Sequence, residues 1–326
     1  MSGTGDAPGD RLRERVGGSR LKLWLLLEAD RWLVTGALLA VVFGTLTLVG
    51  YGVPTAERAI RTSDSVDTLF QALLAATITG VTLVLTLNQL VLSQELGAVG
   101  DQRERMEGAM QFRRDAAATI GTPVSPARPA QFLRALVQVA GERAADLRDA
   151  VPETDDDLDA EVGDLTDSLV ENADRVSAGL DDARFGGFEV ISAALDFNYS
   201  WKIFAARRIH ERHGEALGED GTEALEALIE VLRLFGPARE HFKTLYFQWE
   251  LSNLSRTLLY AAVPALAVAI SALVFFDPRA HTGATLGVSH ALLVVSAATT
   301  VAVLPFAILL AYILRIVTVT KRTLSI

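Results

Sequence analysis

The sequence predicts an all-α, polytopic membrane protein with four transmembrane helices and a cytoplasmic helical bundle inserted between spans two and three. Half of the 326 residues are hydrophobic, yet 21% are charged, so apolar and charged residues must be segregated along the chain. The apolar residues fall into four long stretches, with the charged residues between and around them. The polar regions show helical rather than strand periodicity.

Four stretches are long and apolar enough to cross a bilayer. Apart from His290, none contains an acidic or basic residue, and each exceeds the roughly 18 residues with which a helix crosses about 30 Å of hydrocarbon. Because backbone polar groups cannot stay unpaired in lipid, these stretches must be helical. In chain order they are span one, Trp32–Tyr51, span two, Leu69–Leu92, span three, Leu258–Phe276, and span four, Leu286–Leu314.

Arg and Lys near the spans set the predicted orientation. They are concentrated before span one, after span two and beside spans three and four, whereas the opposite loops hold only Arg58, Arg61 and Arg279. The positive-inside rule therefore places both termini in the cytoplasm. The predicted location is the cell membrane, with the lipid bilayer as a partner. The predicted segments are a cytoplasmic N-terminal segment, 1–31, two transmembrane hairpins, 32–92 and 258–314, a cytoplasmic all-helical domain, 93–257, and a short basic tail, 315–326.

Apolar residues recur at helical spacing just before span one, at Leu21, Trp24 and Leu25. This pattern is typical of an amphipathic helix lying in the cytoplasmic interface, with Trp24 at the level of the headgroups. The alternative is that span one begins early. The three charges within residues 28–31 are costly in hydrocarbon, which favours the interfacial helix.

Helical periodicity extends across the cytoplasmic segment. Span two is predicted to continue as a helix to Gly121, where the sequence GTPVSPARP stops it. A last cytoplasmic helix from residue 238 should run directly into span three, and Pro264 and Pro305 should kink spans three and four. Further helices are expected over residues 130–150, 158–183 and 188–218.

Span two carries a stripe of polar residues that advance by three or four positions and so share one helical face. Such a stripe can line an aqueous path, where hydroxyls and amides replace lost hydration. It can equally hold helices together, since Thr and Gln hydrogen-bond to neighbouring helices at about 1 kcal/mol or less each. The members of this polar stripe, the candidate pore-lining residues, are Thr79, Thr82, Thr86, Gln89 and Ser93.

Two ridges of small residues offer packing surfaces on the other spans. Small residues at every fourth position let helix backbones approach closely. The ridges therefore predict helix packing and a homo-oligomer. They comprise Gly36, Ala40 and Gly44 on span one, and Ala261, Ala265 and Ala269 on span three.

The sequence argues against several classes of chemistry. It has no cysteine, which excludes disulfides and thiolate metal sites. His210 and His213 stand three apart on a helix but have no third ligand at a fixed spacing, and no phosphate-binding glycine loop occurs. We therefore expect no enzyme, no cofactor and no metal. The absence of a basic stripe outside the membrane flanks argues against nucleic acid as a partner.

The balance of charged residues indicates the solvent environment of the protein rather than a ligand. Acidic residues exceed basic ones by ten, and Lys occurs at only four positions. This halophilic composition is expected in a cell with high internal salt, where screening weakens self-repulsion. Within the spans, only His290 could carry a charge, so a proton relay or charge-coupled transport is not expected.

Passive conduction, anchoring and sensing therefore remain. The layout of two spans, a cytoplasmic helical bundle and two more spans resembles that of bestrophin-type channels, and the resemblance is one of layout alone. The leading expectation is a passive ion or small-solute channel lined by span two. The alternative is a membrane-anchored scaffold or sensor whose cytoplasmic bundle binds a partner protein.

Overall fold

The chain is all-α, as the sequence predicts. A computed structural model describes residues 29–53, 55–62, 64–95, 99–151, 155–181, 183 and 188–323, and helices account for about 89% of it. The predicted interfacial helix before span one lies outside the described residues.

Helices follow one another along the described residues, with one small hairpin near the C-terminal end. The hairpin pairs Ala284 with Ser289 and Thr285 with Val288, antiparallel. It follows a 3-10 turn, Pro278–Ala280. The helices and strands are α1, Arg31–Gly52, α2, Ala56–Thr62, α3, Ser65–Glu95, α4, Val99–Ile120, α5, Pro129–Ala150, α6, Asp156–Asp181, α7, Phe188–Leu195, α8, Tyr199–Phe275, β1, Ala284–Thr285, β2, Val288–Ser289, α9, His290–Ala302, and α10, Leu304–Thr323.

Contacts divide the chain into two compact units. One, here called the bundle unit, comprises the described residues of 99–249. The other, here called the span unit, comprises those of 29–95 and 250–321. Residues 199–249 of α8 therefore belong to the bundle unit and residues 250–275 to the span unit.

The bundle unit has a hydrophobic core of its own. α5 and α6 pack along each other, and α4, α7 and α8 add apolar side chains to the same cluster. Aromatic rings pack edge-on within it, since Phe197 and Phe235 have centroids 4.7 Å apart. Fully buried members include Leu133, Leu136, Leu147, Leu158, Leu169, Leu225, Leu228 and Leu232.

The end of α4 follows from a glycine in the left-handed region. Gly121 has φ +74°, which residues with a Cβ rarely adopt. Its N–H donates to the Ala118 carbonyl and the Thr122 N–H donates to the Ala117 carbonyl, at 3.1 and 3.0 Å, as in a Schellman cap. The predicted stop at Gly121 is therefore confirmed. One helix was predicted to run from span two to Gly121. The structure describes two helices there, α3 and α4, and residues 96–98 between them lie outside the described residues.

The prediction of one helix over residues 188–218 is wrong at one point. The chain leaves the helix between Leu195 and Tyr199. Asn172, fully buried on α6, donates from Nδ2 to the Asp196 carbonyl at 2.9 Å, and this bond satisfies an acceptor that the break would otherwise orphan. The break also lets Phe197 bury its ring completely. The predicted end at Gly218 coincides with a kink, where φ is +69°.

Three described helices are long and apolar enough to span a membrane, and a bent pair passes the same test together. The three are α1, residues 65–91 of α3, and α8 within the stretch Phe188–Phe275, where an uninterrupted uncharged apolar segment begins at Leu258. The pair is α9 with residues 304–318 of α10, bent by 47°. Only 11% of the α1 window and 17% of the α3 window are buried, so both helices expose wide apolar surfaces.

Span four differs from its predicted form at both its start and its middle. Leu286 and Gly287 form the turn of the hairpin, with φ of 51° and 81°, so the helix begins at His290. The bend falls at Val303, two residues before Pro305, as proline at the second helical position allows. At Pro264 the backbone dihedrals stay helical, so the kink predicted there is not a break.

The span unit is held at two ends. At one end, Arg31 forms an ion pair with Glu250 and lies over the ring of Tyr312. At the other end, Arg61 donates to the carbonyls of Pro278 and His281 at 2.9 and 3.2 Å. Each end thus joins segments more than 200 residues apart in the sequence.

Candidate functional site

The structure places all five residues of the polar stripe on an exposed face of α3. At 100° per residue the stripe covers about 80° of arc. The buried side chains of α3 lie roughly 160° away on the same geometry; they are Val66, Phe70, Thr77 and Val84. The polar side of α3 is therefore turned away from the packing of its own chain.

The hydroxyl groups of the stripe bond to their own helix. Thr79, Thr82 and Thr86 donate to the carbonyls of the residues four positions earlier, at 2.8 to 2.9 Å. Ser93 donates to the Leu90 carbonyl at 2.8 Å. A carbonyl oxygen can only accept, so each hydroxyl proton is directed into the helix. The hydroxyl oxygens therefore face outward with their lone pairs.

The Asn88–Gln89 amide pair divides between the two sides of α3. Gln89 is exposed with the stripe, whereas Asn88 is half-buried on the packed side. Large apolar side chains flank the stripe on the exposed surface: Ile78, Leu83, Leu87 and Leu90. A narrow polar strip bordered by lipid-compatible residues can face water while its borders contact hydrocarbon or another protein surface.

The two predicted ridges lie in different environments. On span three, Ala261, Ala265 and Ala269 are buried, with at most 5% of their surface exposed. On span one, Ala40 is exposed, and a Cβ on Gly36 or Gly44 would have open space around it. The chain packs against the span-three ridge and leaves the span-one ridge uncovered.

The close helix approaches involve glycines that the ridge pattern did not select. A Cβ on Gly50 would lie 2.6 Å from Cδ1 of Leu292, and one on Gly80 would lie 3.3 Å from Cε1 of Phe306. These contacts join α1 to α9 and α3 to α10. Isolated glycines in apolar runs were the only sequence signal.

A buried ionic cluster at one end of the span unit was also missed. Glu250 has 1% of its side-chain surface exposed and pairs with Arg31, which has 17% exposed. The Arg31 guanidinium carbon lies 4.4 Å from the Tyr312 ring centroid, and Asn253 donates to the Tyr312 hydroxyl at 3.1 Å. Arg315 donates to the Ala29 carbonyl. These groups tie α1, α8 and α10 together.

The bundle unit carries one carboxylate with a perturbed affinity for protons. Partial burial by itself would raise the pKa of Glu240, but hydrogen bonds from Lys243 and Arg239 outweigh it and hold that pKa below its ordinary value. The Arg239 guanidinium also lies over the Tyr199 ring, 4.8 Å from its centroid. These contacts join Tyr199, Arg239, Glu240 and Lys243 within the bundle unit.

No group of three or more His, Asp or Glu residues within the described part of the chain could hold a metal ion. His210 and His213 do not continue one regular helix, because His213 has non-helical dihedrals, φ −125° and ψ 17°.

A family model described as a family of unknown function, DUF7972, matches residues 1–326. The chain belongs to the DUF7972 family. No curated protein and no solved structure matched this DUF7972 chain. Its apolar helices are compatible with a membrane protein.

Proposed function

We propose that the protein is a four-span membrane protein that forms a passive path for ions or small solutes, lined by the polar stripe of α3. The observation that carries the proposal is the exposure of this stripe opposite the packed side of an apolar helix. In a bilayer, a surface in this position faces lipid, water or another copy of the chain.

The energetics disfavour lipid as the neighbour of the stripe. Transfer of an amide such as that of Gln89 into hydrocarbon without hydrogen-bond partners costs about 4–8 kcal/mol of free energy. The hydroxyls cost less because their protons are already bonded to the helix. Water in a path between helices satisfies both kinds of group and leaves the flanking apolar residues to other contacts.

The contacts of the span unit support a four-span layout. The start of α1, Glu250 of α8 and Tyr312 of α10 meet at one end, while Gly50 of α1 and Leu292 of α9 meet at the other. Val84 of α3 packs with Leu254 and Tyr312 toward the first end, and Val66 and Phe70 pack with Val295 toward the other. The successive long helices therefore run in alternating directions, with α9 and α10 acting as one bent span. The distribution of Arg and Lys favours the cytoplasm for the first end and for the bundle unit.

Further copies of the chain complete the path in this proposal. One α3 presents only one wall, so a path needs several copies around an axis. The span-one ridge, Gly36, Ala40 and Gly44, is open in the single chain and suits a contact between copies.

Conductance tests the proposal directly. The purified protein, reconstituted in planar bilayers, is expected to conduct, and the double variant Thr86→Leu, Gln89→Leu is expected to abolish the current while the particle mass stays the same. The matched control is Leu87→Ala, which changes an exposed apolar neighbour and should leave conductance intact. Unchanged current in the double variant would refute the assignment of the stripe.

A scaffold or sensor is the second candidate, favoured by one surface of the bundle unit. Val99, Met106 and Met110 of α4 are 83%, 70% and 52% exposed, and flexible Met side chains suit binding of varied partner helices. In this proposal, Met106→Glu with Met110→Glu abolishes a specific crosslink between α4 and a partner in the native membrane. Making the stripe apolar would then have no consequence.

A further inference from the structure

The hydrogen-bonding groups that the polar stripe exposes bear on which ions can pass along it. Four hydroxyl protons are directed to carbonyls of α3, so the hydroxyl groups offer only acceptor oxygens to the exposed side. Anions need donors, and cations need acceptors. Only the Gln89 amide among the five residues retains N–H donors for an anion.

The charged residues of α3 are negative, and so are the partial charges on these acceptor oxygens. The helix contains two acidic residues, Asp67 in its first turn and Glu95 at its end, and no Lys or Arg. Asp67 is exposed one step of four residues beyond Gln71 and Ala75, both also exposed, and at 100° per residue it lies about 40° outside the arc of the stripe. The negative end of the helix dipole also lies at the Glu95 end.

We infer that the path carries monovalent cations in preference to anions, with outward-facing Thr and Ser oxygens as transient ligands and Asp67 as the cation-attracting group at its mouth. This inference rests on the proposed function. Neutral oxygens bind such ions weakly enough for release, as conduction requires. The stripe itself holds no carboxylate to retain a divalent ion.

The test measures reversal potential for the full-length protein in planar bilayers under a KCl gradient. A potential shifted toward the K⁺ equilibrium value, with a severalfold preference for K⁺ over Cl⁻, is expected. A shift toward the Cl⁻ value in a conducting preparation would overturn this inference alone. Absence of conductance would overturn the proposed function and the inference with it.

Variants connect selectivity to named oxygens. Thr82→Val with Thr86→Val removes two acceptors while keeping branched side chains, and should lower both conductance and the K⁺ preference. Asp67→Asn, at an exposed position that carries no packing, should lower the K⁺ preference severalfold. Thr77→Val is the matched control, since Thr77 is buried on the opposite side of α3. An unchanged reversal potential in both the threonine double variant and Asp67→Asn would contradict the assignment.

Discussion

Removing the buried carboxylate of Glu250 should destabilise the span unit strongly. Glu250→Gln keeps the size of the side chain and removes the carboxylate charge that pairs with the Arg31 guanidinium, whose side chain is 17% exposed. Breaking a buried pair by removing one partner costs about 3–5 kcal/mol. Because the contact of Arg31 with the Tyr312 ring remains, and such contacts contribute about 2 kcal/mol when desolvated, we expect the lower end, about 3 kcal/mol. The unfolding constant then rises about 100-fold.

Equilibrium unfolding in mixed detergent micelles, followed by tryptophan fluorescence, measures this change. Two of the four tryptophans, Trp32 and Trp249, adjoin Arg31 and Glu250 in the sequence. The control is Glu57→Gln, whose exposed i,i+4 pair with Arg61 should contribute about 0.5 kcal/mol or less.

A double variant separates the ion pair from simple packing. Arg31→Met with Glu250→Leu removes both charges, and replacing a whole buried pair by apolar residues is often neutral. Stability should therefore recover most of the loss seen in Glu250→Gln. The reasoning would be refuted if Glu250→Gln were no more destabilising than Glu57→Gln, or if the double variant were less stable than Glu250→Gln.

Two further predictions concern packing and pH. Gly50→Val should destabilise the span unit by about 1–3 kcal/mol through overpacking against Leu292. Gly36 has open space around it, so Gly36→Val should leave the stability of the chain unchanged in detergent unfolding. Equal effects of the two substitutions would contradict the packing. The lowered pKa of Glu240 means that its ionised form stabilises the bundle fully above about pH 4.3, the ordinary Glu value, and that this stabilisation disappears as pH falls through the folded-state value. Thermal melts should accordingly show wild type and Glu240→Gln converging in acid, and a constant difference down to pH 3 would refute this.

Sequence patterns predicted the long apolar helices because length and apolarity are enough to specify them. Span one was predicted as Trp32–Tyr51, and the helix there covers Arg31–Gly52. A continuous uncharged run of this length predicts a helix because lipid offers backbone groups no other partner. The start of span four was missed for a related reason. Leu286 in a left-handed turn is exceptional for a residue with a Cβ, so an apolar pattern continues through it unmarked.

Tertiary features were less accessible to sequence reasoning. The break at Asp196 depends on Asn172, 24 positions earlier, and no local signal specifies that bond. The Arg31–Glu250 pair joins residues 219 positions apart. The polar stripe was visible because its three-and-four spacing is local, but its exposure depends on which side of α3 the other helices cover.

Cysteine accessibility tests the central claim, that the polar stripe faces water in the assembled protein. The chain has no cysteine, so single replacements at Thr79, Thr82 and Thr86 can be compared with those at Leu83 and Leu87 in the same membrane. A charged thiol reagent should modify the three stripe positions and block the current there, while the two leucine positions stay unreactive. Reaction at the leucine positions with protection of the stripe would contradict the account.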